Sequence, residues 1–339
     1  MDITSMLRLL TEKTGVSGDE FSASRAAAQL LSEYASEVEV DVFGNVTGFV
    51  RSGSKNVRTL MLDAHIDQIG MIVTYIDDSG FIKVGACGGL DMRTMLAQSV
   101  TIHGKQEISG VVCTLPPHVS SDHSKVPEIG EISIDIGMTK EQAQQVISLG
   151  DRVTVNSWFR RVGKLVSAPS IDDRSGVCVI LRALELLKER TLKYDLAVCF
   201  SAQEETGERG VKQAAFRLAP DECIAVDVSF GRTPDSEEHE TALMGSGAMI
   251  GASAVLDREM TERLKALAEA NDIPYTIEVM PSSTGTNADA VSISRGGVKC
   301  CTVSIPIRYM HTAVEVIDPT DIEAAARLIS EYVGGDSNA

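Results

Sequence analysis

The sequence has 339 residues, of which 43% are apolar and 23% charged, so it can bury the core of one large domain or two ordinary ones. Its net charge of −17 argues against nucleic acid or an anionic membrane as a partner. The opening residues, MDITSMLRLLTEK, contain no apolar signal segment, and we expect a cytoplasmic protein. The seven cysteines lack CxxC spacing and lie mostly in apolar runs, which favours reduced thiols over disulfides or a zinc ribbon.

The chain opens with two helical patterns, SMLRLLTEK and FSASRAAAQLLSEYA, and then alternates through EVEVDVFGNVTGFV, which predicts a hairpin at Gly44-Asn45. From about residue 70 to 165, short β-like runs such as QSVTIHG, ISGVVCTL and DRVTVNSWF follow one another. One helix interrupts them, opened by a capping box of Thr139 and Gln142. We predict a small β-rich domain over residues 70–165.

After residue 170, helical and strand-like patterns alternate. The helix GVCVILRALELLKER is followed by the strand YDLAVCFSA, and the alternation continues to TDIEAAARLISEYV, where a capping box of Thr320 and Glu323 is expected. Alternation of this kind is typical of an α/β fold with a mostly parallel central sheet flanked by helices. We therefore predict one discontinuous α/β domain, residues 1–67 plus 167–339, that holds the β-rich segment as an insertion.

Histidines and carboxylates occur where the predicted strands end, which is where α/β sheets bind ligands. They are His65 and Asp67 in AHIDQIG, Asp172 and Asp173 in SIDDRSG, Glu204 and Glu205 in SAQEETGERG, Asp227 in AVDVS, and His311 in IPIRYMH. A terminal Asp is often a helix cap, and a single His often has a structural role. Their recurrence at one edge favours a metal site, because buried unpaired carboxylates cost several kcal/mol.

Charge counting favours two metal ions over one. If Asp172 bridges two divalent ions, then His65 and Asp227 complete one site, while Glu205 and His311 complete the other. Three carboxylates then face four positive charges, and a bound hydroxide would close the balance. Nitrogen and oxygen ligands without thiolate suit zinc first, with cobalt or manganese as alternatives.

These five motifs, in this order and separation, resemble the dinuclear metallo-aminopeptidases of the glutamyl aminopeptidase type, which include the tetrahedral aminopeptidases. The resemblance covers nearly the whole chain. It implies a metal-dependent aminopeptidase that removes N-terminal residues from short peptides with a water activated by two metal ions. The ligands that it implies are His65, Asp172, Glu205, Asp227 and His311. It further implies that Glu204 is the general base and that Asp67 orients His65.

The resemblance also implies a domain organisation and an assembly. Residues 1–67 plus 167–339 would form the catalytic domain, and 70–165 an inserted dimerisation or oligomerisation domain. The expected partner is a further copy of the chain, in a dodecamer or, failing that, a dimer. The loop PPHVSSDHSK, with His118 and His123, is expected to border the cleft or a subunit contact.

The chain departs from the family pattern at two positions. Gln68 and Asn287 stand where the family often has Glu and Asp. Neither is a ligand in the assignment above, so the departures bear on substrate preference and loop geometry. Arg160, Arg161 and Arg308 are candidate pocket contacts, although structural roles account for them equally well.

Three other functions remain open at this stage. A related amidohydrolase or deblocking peptidase acting on acylated amino acids would share the metals and the glutamate pair. An endoglucanase-type glycosidase is weaker, because one Trp and 4% aromatic residues offer little surface for sugar stacking. A metal-storing scaffold is also weaker, because the ligand set is accompanied by a candidate base.

Overall fold

The computed structural model describes residues 2–115, 118–119 and 125–335. Its α-helices are α1 (Ile3–Thr11), α2 (Phe21–Leu31), α3 (Lys140–Val146), α4 (Ile171–Leu187), α5 (Arg209–Leu218), α6 (Arg258–Ala270), α7 (Ala288–Ser292) and α8 (Pro319–Val333). Its strands are β1 (Ser36–Val40), β2 (Val46–Val50), β3 (Thr59–His65), β4 (Gly70–Ile76), β5 (Ile82–Cys87), β6 (Ser99–His103), β7 (Glu107–Val112), β8 (Ile134–Asp135), β9 (Arg152–Val155), β10 (Arg160–Val162), β11 (Leu165–Ala168), β12 (Asp195–Ser201), β13 (Glu222–Phe230), β14 (Ala248–Ser253), β15 (Tyr275–Met280), β16 (Lys299–Arg308) and β17 (Glu315–Ile317). The predicted cleft residue His123 lies outside the described residues.

The main sheet has eleven strands, and the prediction that it is mostly parallel is wrong. Its centre, β12-β3-β13-β16, is parallel, but β1-β2 on one side and β17-β11-β10 on the other are antiparallel. Strand β14 pairs antiparallel with β16 and parallel with β15. Short connections join β1 to β2, β10 to β11 and β16 to β17, and a short connection can join only antiparallel neighbours. The antiparallel pairs β2-β12, β11-β17 and β14-β16 are formed by segments that are distant in the sequence. Helices flank the sheet as predicted, so the fold is mixed α/β.

Strands β4 to β9 form a closed barrel in the order β4-β5-β8-β7-β6-β9. The barrel has its own apolar core, which includes Met71, Val84, Ile102 and Val153. The chain enters the barrel five residues after the end of β3 and re-enters the main sheet at β10. Helix α3 lies in this segment, and the predicted capping box of Thr139 and Gln142 is present at its start.

Two local predictions have different outcomes. The hairpin at Gly44-Asn45 is confirmed, since β1 pairs antiparallel with β2 and Gly44 has a positive φ of 94° that suits glycine. Helix α8 begins at Pro319 and is capped by Asp318, whose side chain accepts a hydrogen bond from the N–H of Thr320. The expected start at Thr320 was therefore wrong, because Pro is favoured in the first turn.

The central helix α4 packs behind the sheet and is buried along most of its length. It contacts β3, β13 and α8, so its first turn is held against the ends of the central strands. All seven cysteines are free. Among the residues that the structure describes, no helix has both the length and the apolar character needed to cross a membrane.

Candidate metal centre

The four parallel strands bring the predicted ligands to one edge of the sheet. His65 is the last residue of β3, Asp227 lies near the end of β13, and His311 follows β16 by three residues. Glu204 and Glu205 follow β12, and Asp172 lies in the first turn of α4. Because parallel strands end at the same edge, residues from distant parts of the sequence meet there.

Two groups of three side chains share Asp172. One contains His65, Asp172 and Asp227, and the other contains Asp172, Glu205 and His311; within each group the nearest ligand atoms all lie within 4.8 Å of one another. A third group of the same compactness contains His65, Glu204 and Glu205. The structure thus brings together all five residues that the sequence proposed as ligands, with Glu204 beside them.

The hydrogen bonds of His65 leave one of its nitrogen lone pairs facing a carboxylate. Its Nδ1 lies 3.2 Å from the carbonyl oxygen of Asp67, which can only accept, so Nδ1 carries the hydrogen. In a neutral ring, Nε2 then presents a lone pair to Oδ1 of Asp172 at 2.9 Å. Two lone pairs at this distance repel each other unless a proton or another cation lies between them.

His311 is arranged in the same way. Its Nε2 lies 3.3 Å from Oδ2 of Asp172 and 3.4 Å from Oε1 of Glu205. The backbone of Gly89 accepts a hydrogen bond from the ring. Both imidazoles therefore turn Nε2 towards Asp172, which raises the pKa of His311 through the hydrogen bond with that carboxylate.

Burial disfavours the charged form of Glu204, Glu205 and Asp227. Burial raises the pKa of Glu204 to about 7 and that of Glu205 to about 9, and it raises the pKa of Asp227 well above its ordinary value. Burial also acts to raise the pKa of Asp172, but its hydrogen bonds with His311 and His65 hold that pKa below the ordinary range. So many buried acids at one point require compensating positive charge.

Asp67 organises the turn that carries the paired glutamates. Its Oδ1 accepts a hydrogen bond from the N–H of Glu204 at 2.9 Å, and its Oδ2 accepts one from the N–H of Glu205 at 3.2 Å. Ser17 donates its hydroxyl to Oδ2 at 2.6 Å. With Gln203 at a positive φ of 57°, the backbone leaves the strand direction, so consecutive side chains can serve one site.

Glu315 is a buried acid beside the cluster that the sequence did not predict as part of the site. It is 2% exposed, and its carboxylate accepts hydrogen bonds from the N–H of Asp172 at 3.1 Å and the N–H of His311 at 3.0 Å. It therefore fixes the backbone of two proposed ligands from behind. The only sequence signal is an acid at the start of the short apolar stretch EVI, a pattern that also fits an exposed side chain.

Asp173 is fully buried and joined to Asp172 by a cis peptide bond. Its carboxylate accepts hydrogen bonds from the N–H of His65 at 3.2 Å and the N–H of Gly176 at 2.9 Å. The second bond is a cap at the start of the regular part of α4. The first links that cap to the end of β3.

The barrel contributes backbone to the centre. A Cβ on Gly88 would lie 3.0 Å from Oε2 of Glu205, and one on Gly89 would lie 2.8 Å from Nδ1 of His311. These glycines follow β5 directly. The absence of side chains lets this loop approach the proposed ligands closely.

The two departures from the family pattern have buried partners. Gln68 accepts hydrogen bonds through Oε1 from the N–H of Gly15 at 3.1 Å and from Arg174 at 3.4 Å. Asn287 donates through Nδ2 to Asp63 at 2.7 Å and to Ser201 at 2.8 Å, behind the ends of β3 and β12.

Two cavities adjoin the cluster on different sides. The larger, about 360 Å³, is bounded by Asp172, Glu205 and His311 and extends past Leu90 and Met95 of the barrel segment. The smaller, about 230 Å³, contains His65, Glu204 and Asp227 and extends along β13 to β15. The candidate pocket residues Arg160, Arg161 and Arg308 line neither cavity.

Divalent cations fit the chemistry of this cluster. Two ligand atoms that share a tetrahedral ion with bonds of about 2.0 Å lie roughly 3.3 Å apart, and the separations from Nε2 of His65 and His311 to the carboxylates are 2.9, 3.3 and 3.4 Å. The set contains imidazole and carboxylate without thiolate, and the two lone pairs of His65 and Asp172 point at each other. The mixed α/β fold, the converging strand ends and this donor set define a candidate metal-dependent enzyme.

Comparisons with known proteins give the family. Residues 44–328 match the model of the M42 glutamyl aminopeptidase family, and the chain belongs to that family. It is therefore a metal-dependent aminopeptidase, a hydrolase. Its fold is similar to an aminopeptidase from the archaeon Desulfurococcus kamchatkensis, with 32% identity, a TM-score of 0.91 and coverage of 98% of this chain and 94% of that one.

Two further relatives are similar over almost their full length. The lysyl aminopeptidase of Pyrococcus furiosus is 31% identical, over 95% of this chain and 94% of that protein. The TET1 peptidase of Pyrococcus horikoshii, which can assemble into a tetrahedron or a large octahedral shell, has 27% identity and a TM-score of 0.87, with coverage of 98% and 99%.

Proposed function

We propose that the chain binds two divalent metal ions and uses them to hydrolyse the N-terminal residue from short peptides. Asp172 would bridge the ions, with His65 and Asp227 at one and Glu205 and His311 at the other. The observation that supports this proposal is the pair of three-residue groups that share Asp172. When bound, such ions polarise a scissile carbonyl and lower the pKa of water.

Glu204 would move the proton during hydrolysis. It lies in a group with His65 and Glu205, and burial raises its pKa to about 7, near the value that suits a general base at neutral pH. It would take a proton from the attacking water and pass it to the leaving amine. Zinc is our first choice of metal, and cobalt or manganese would suit the same ligands.

The buried acids around the ligands would hold them in place. Asp67 orients His65 through its backbone carbonyl and fixes the backbone of both glutamates through its carboxylate, while Glu315 fixes the backbone of Asp172 and His311. Supporting hydrogen bonds of this kind set ring orientation and ligand basicity. They explain why the turn after β12 can present two adjacent carboxylates to one site.

Oligomerisation is a separate part of the proposal. Solved relatives include a dodecamer and a tetrahedral or octahedral assembly of TET1. We expect this chain to form a homo-oligomer, a dodecamer first and a dimer second. The barrel within residues 70–165 would be the inserted oligomerisation domain, and residues 1–67 plus 167–339 the catalytic domain.

A panel of aminoacyl p-nitroanilides tests the proposed function. The protein is stripped of metal, and zinc, cobalt and manganese are each restored before the panel is assayed. We expect no turnover without metal and activity with a stoichiometry of two ions per subunit. N-acetylated versions of the same substrates should be inert; their hydrolysis would favour a deblocking amidohydrolase instead.

A further inference from the structure

The smaller cavity contains a carboxylate that the proposed hydrolysis does not use. Glu278 lies on β15; its Oε1 accepts a hydrogen bond from the hydroxyl of Ser229, and its Oε2 is buried without a hydrogen-bond partner. Burial raises the pKa of Glu278, while the hydroxyls of Ser229 and Ser304 lower it. An unsatisfied buried oxygen costs about 1–3 kcal/mol, more for a charged group, so a donor from outside the chain would be stabilising here.

The charges around the cavity favour a cationic ligand. Apart from the histidines of the cluster, the residues that line the cavity are acidic, carry a hydroxyl group or are apolar. Among the described residues, neither Lys nor Arg lines this cavity. Glu278 also borders the adjoining groove that Arg232 lines, and there the guanidinium of Arg232 donates to Glu238. Nothing described in the cavity wall therefore neutralises Glu278.

The distance from the metal cluster suits a long side chain. Ser229 follows Asp227 by two residues on β13, so both side chains lie on one face, roughly 6.5 Å apart along the strand. Glu278 is hydrogen-bonded to Ser229, so its carboxylate lies beyond Asp227 along β13 and within the same cavity. An α-amino group is one bond from the Cα next to the scissile carbonyl, whereas the ammonium of lysine ends a four-carbon stem of roughly 6 Å.

The sizes of the cavities indicate which part of a peptide each would take. An exopeptidase needs space for one side chain on one side of the scissile bond and for the remaining peptide on the other. The cavity that Glu278 shares with the metal cluster is about 230 Å³, and the cavity on the other side of the cluster is about 360 Å³; Glu278 also borders an adjoining groove of about 830 Å³ that does not reach the cluster. The smaller one suits a single N-terminal side chain.

We propose that Glu278 binds the ammonium or guanidinium group of an N-terminal lysine or arginine and so sets the substrate preference of this enzyme. This inference rests on the proposed function, because it places the scissile bond at the metal cluster. The carboxylate would gain a charged donor for its unpartnered oxygen, and the hydroxyl of Ser229 would hold it in position. A bond of this kind to a buried charge is worth more than one between neutral groups.

The test compares Lys-, Arg- and Leu-p-nitroanilide with wild-type enzyme, Glu278→Gln and Glu278→Arg. The ratio of kcat/KM for Lys to that for Leu should fall at least about 30-fold in Glu278→Gln, because one partner of a buried charged pair is lost. Glu278→Arg should in addition gain activity on Glu-p-nitroanilide, which loss of packing cannot produce. Glu238→Gln, which removes a carboxylate from the adjoining groove, is the matched control and should leave the ratio unchanged.

Several outcomes would overturn the inference. One is a ratio of kcat/KM for Lys to that for Leu that is unchanged in Glu278→Gln, which includes the case in which kcat/KM falls equally for both substrates. Another is a loss confined to peptides with lysine in the second position, such as Ala-Lys. Calorimetric binding of L-lysinol and L-leucinol to the metal-loaded enzyme separates this inference from the proposed function. Tighter binding of lysinol without any peptide hydrolysis would support the role of Glu278 and contradict the proposed function. Peptide hydrolysis without tighter binding of lysinol would support the proposed function and contradict the role of Glu278.

Discussion

Glu204 and Glu205 are adjacent in the chain, and their surroundings differ in ways that support the different roles proposed for them. Glu205 lies with Asp172 and His311, and Gly88 approaches its carboxylate. Glu204 belongs to the group with His65, on the side of the smaller cavity. Repulsion between the two is offset by bound cations, so we expect the pair to be tolerated best in the metal-loaded protein.

Glu204→Gln should keep both metal ions and the fold but lose about 10²- to 10⁴-fold in kcat, the usual contribution of general acid–base catalysis. Glu205→Ala should instead lose metal. Steady-state kinetics together with metal analysis by mass spectrometry distinguish the two. Near-normal turnover of Glu204→Gln with both ions bound would refute the assignment, as would equal metal loss in the two variants.

Asp172 lies in two of the three groups of possible metal ligands, whereas His311 lies in one. Asp172→Asn should therefore weaken metal binding at both sites, while His311→Ala should mainly affect one. Calorimetric titration of the stripped protein with zinc measures this difference. Two unaltered sites in Asp172→Asn would show that it is not a bridge.

The free energy of unfolding should depend on pH through the carboxyl group of Glu20. It is 1% exposed, and burial raises its pKa from 4.5 to about 7, although the N–H of Gly18 donates to it at 2.6 Å. The folded state therefore holds the proton of the Glu20 carboxyl group more tightly than the unfolded state. The contribution of this proton to the free energy of unfolding is complete below pH 4.5 and is lost as the pH rises through 7.

Glu20→Gln keeps an acceptor for Gly18 but cannot ionise. Relative to the wild type, it should gain up to about 3 kcal/mol in free energy of unfolding between pH 5 and pH 8. Urea unfolding at the two pH values measures the gain, and Glu33→Gln on the exposed part of the chain that follows α2 is the control. A difference between wild type and Glu20→Gln that does not change with pH would contradict the shift.

Helix α4 connects elements on three sides through one buried arginine. Arg174 is 0% exposed and donates to the carbonyl oxygens of Leu10, Lys13 and Ile66 at 2.6, 2.9 and 2.8 Å. The first two end α1, and the third belongs to the loop between β3 and β4. A guanidinium with several fixed donors is suited to joining such carbonyls.

Arg174→Met should lower the free energy of unfolding by about 3 kcal/mol or more, since three carbonyls lose the hydrogen bonds of a fully buried guanidinium. Arg25→Met, at an exposed position of α2, should change stability by less than about 0.5 kcal/mol. Chemical denaturation of both variants in the metal-stripped state measures the effect without a contribution from metal binding. A loss equal to that of the control would mean that other groups hold α1 in place.

The antiparallel edges of the main sheet affect the site as well as the fold. Strand β17 pairs antiparallel with β16 and carries Glu315 at its start, directly behind Asp172 and His311. A further parallel strand would need a crossover of a dozen or more residues. The short return from β16 therefore places a supporting acid close to the end of the strand it supports.

For the whole molecule, the proposed assembly predicts a mass near twelve times the 36.3 kDa subunit. A dimer is the second expectation, because the barrel could still join two subunits. Light scattering coupled to size exclusion at micromolar concentration measures the mass, with activity assayed across the peak. A fully active monomer would contradict both the oligomer and the role proposed for the barrel.

The strand ends and their polar residues could be predicted from the sequence, because these patterns are local. A buried parallel strand is a continuous apolar run, and a His, Asp or Glu at its end interrupts that run visibly. His65, Glu205, Asp227 and His311 were selected in this way, and the family model confirms the class of enzyme that their motifs resemble. The hairpin at Gly44-Asn45 and the capping box of α3 were predicted for the same reason.

The direction of the outer strands and the surroundings of the buried acids were decided by the tertiary structure alone, because both depend on which distant segments pair. The sequence does not show that β14 and β17 pair antiparallel with β16, so the sheet was predicted as mostly parallel. It also does not show that the carboxylate of Glu315 lies behind two proposed ligands or that Glu278 reaches the hydroxyl of Ser229 from another strand. An acid in a short apolar run has the same local pattern whether its side chain faces solvent, a backbone amide or a cavity, and only the packing of neighbouring strands distinguishes these environments.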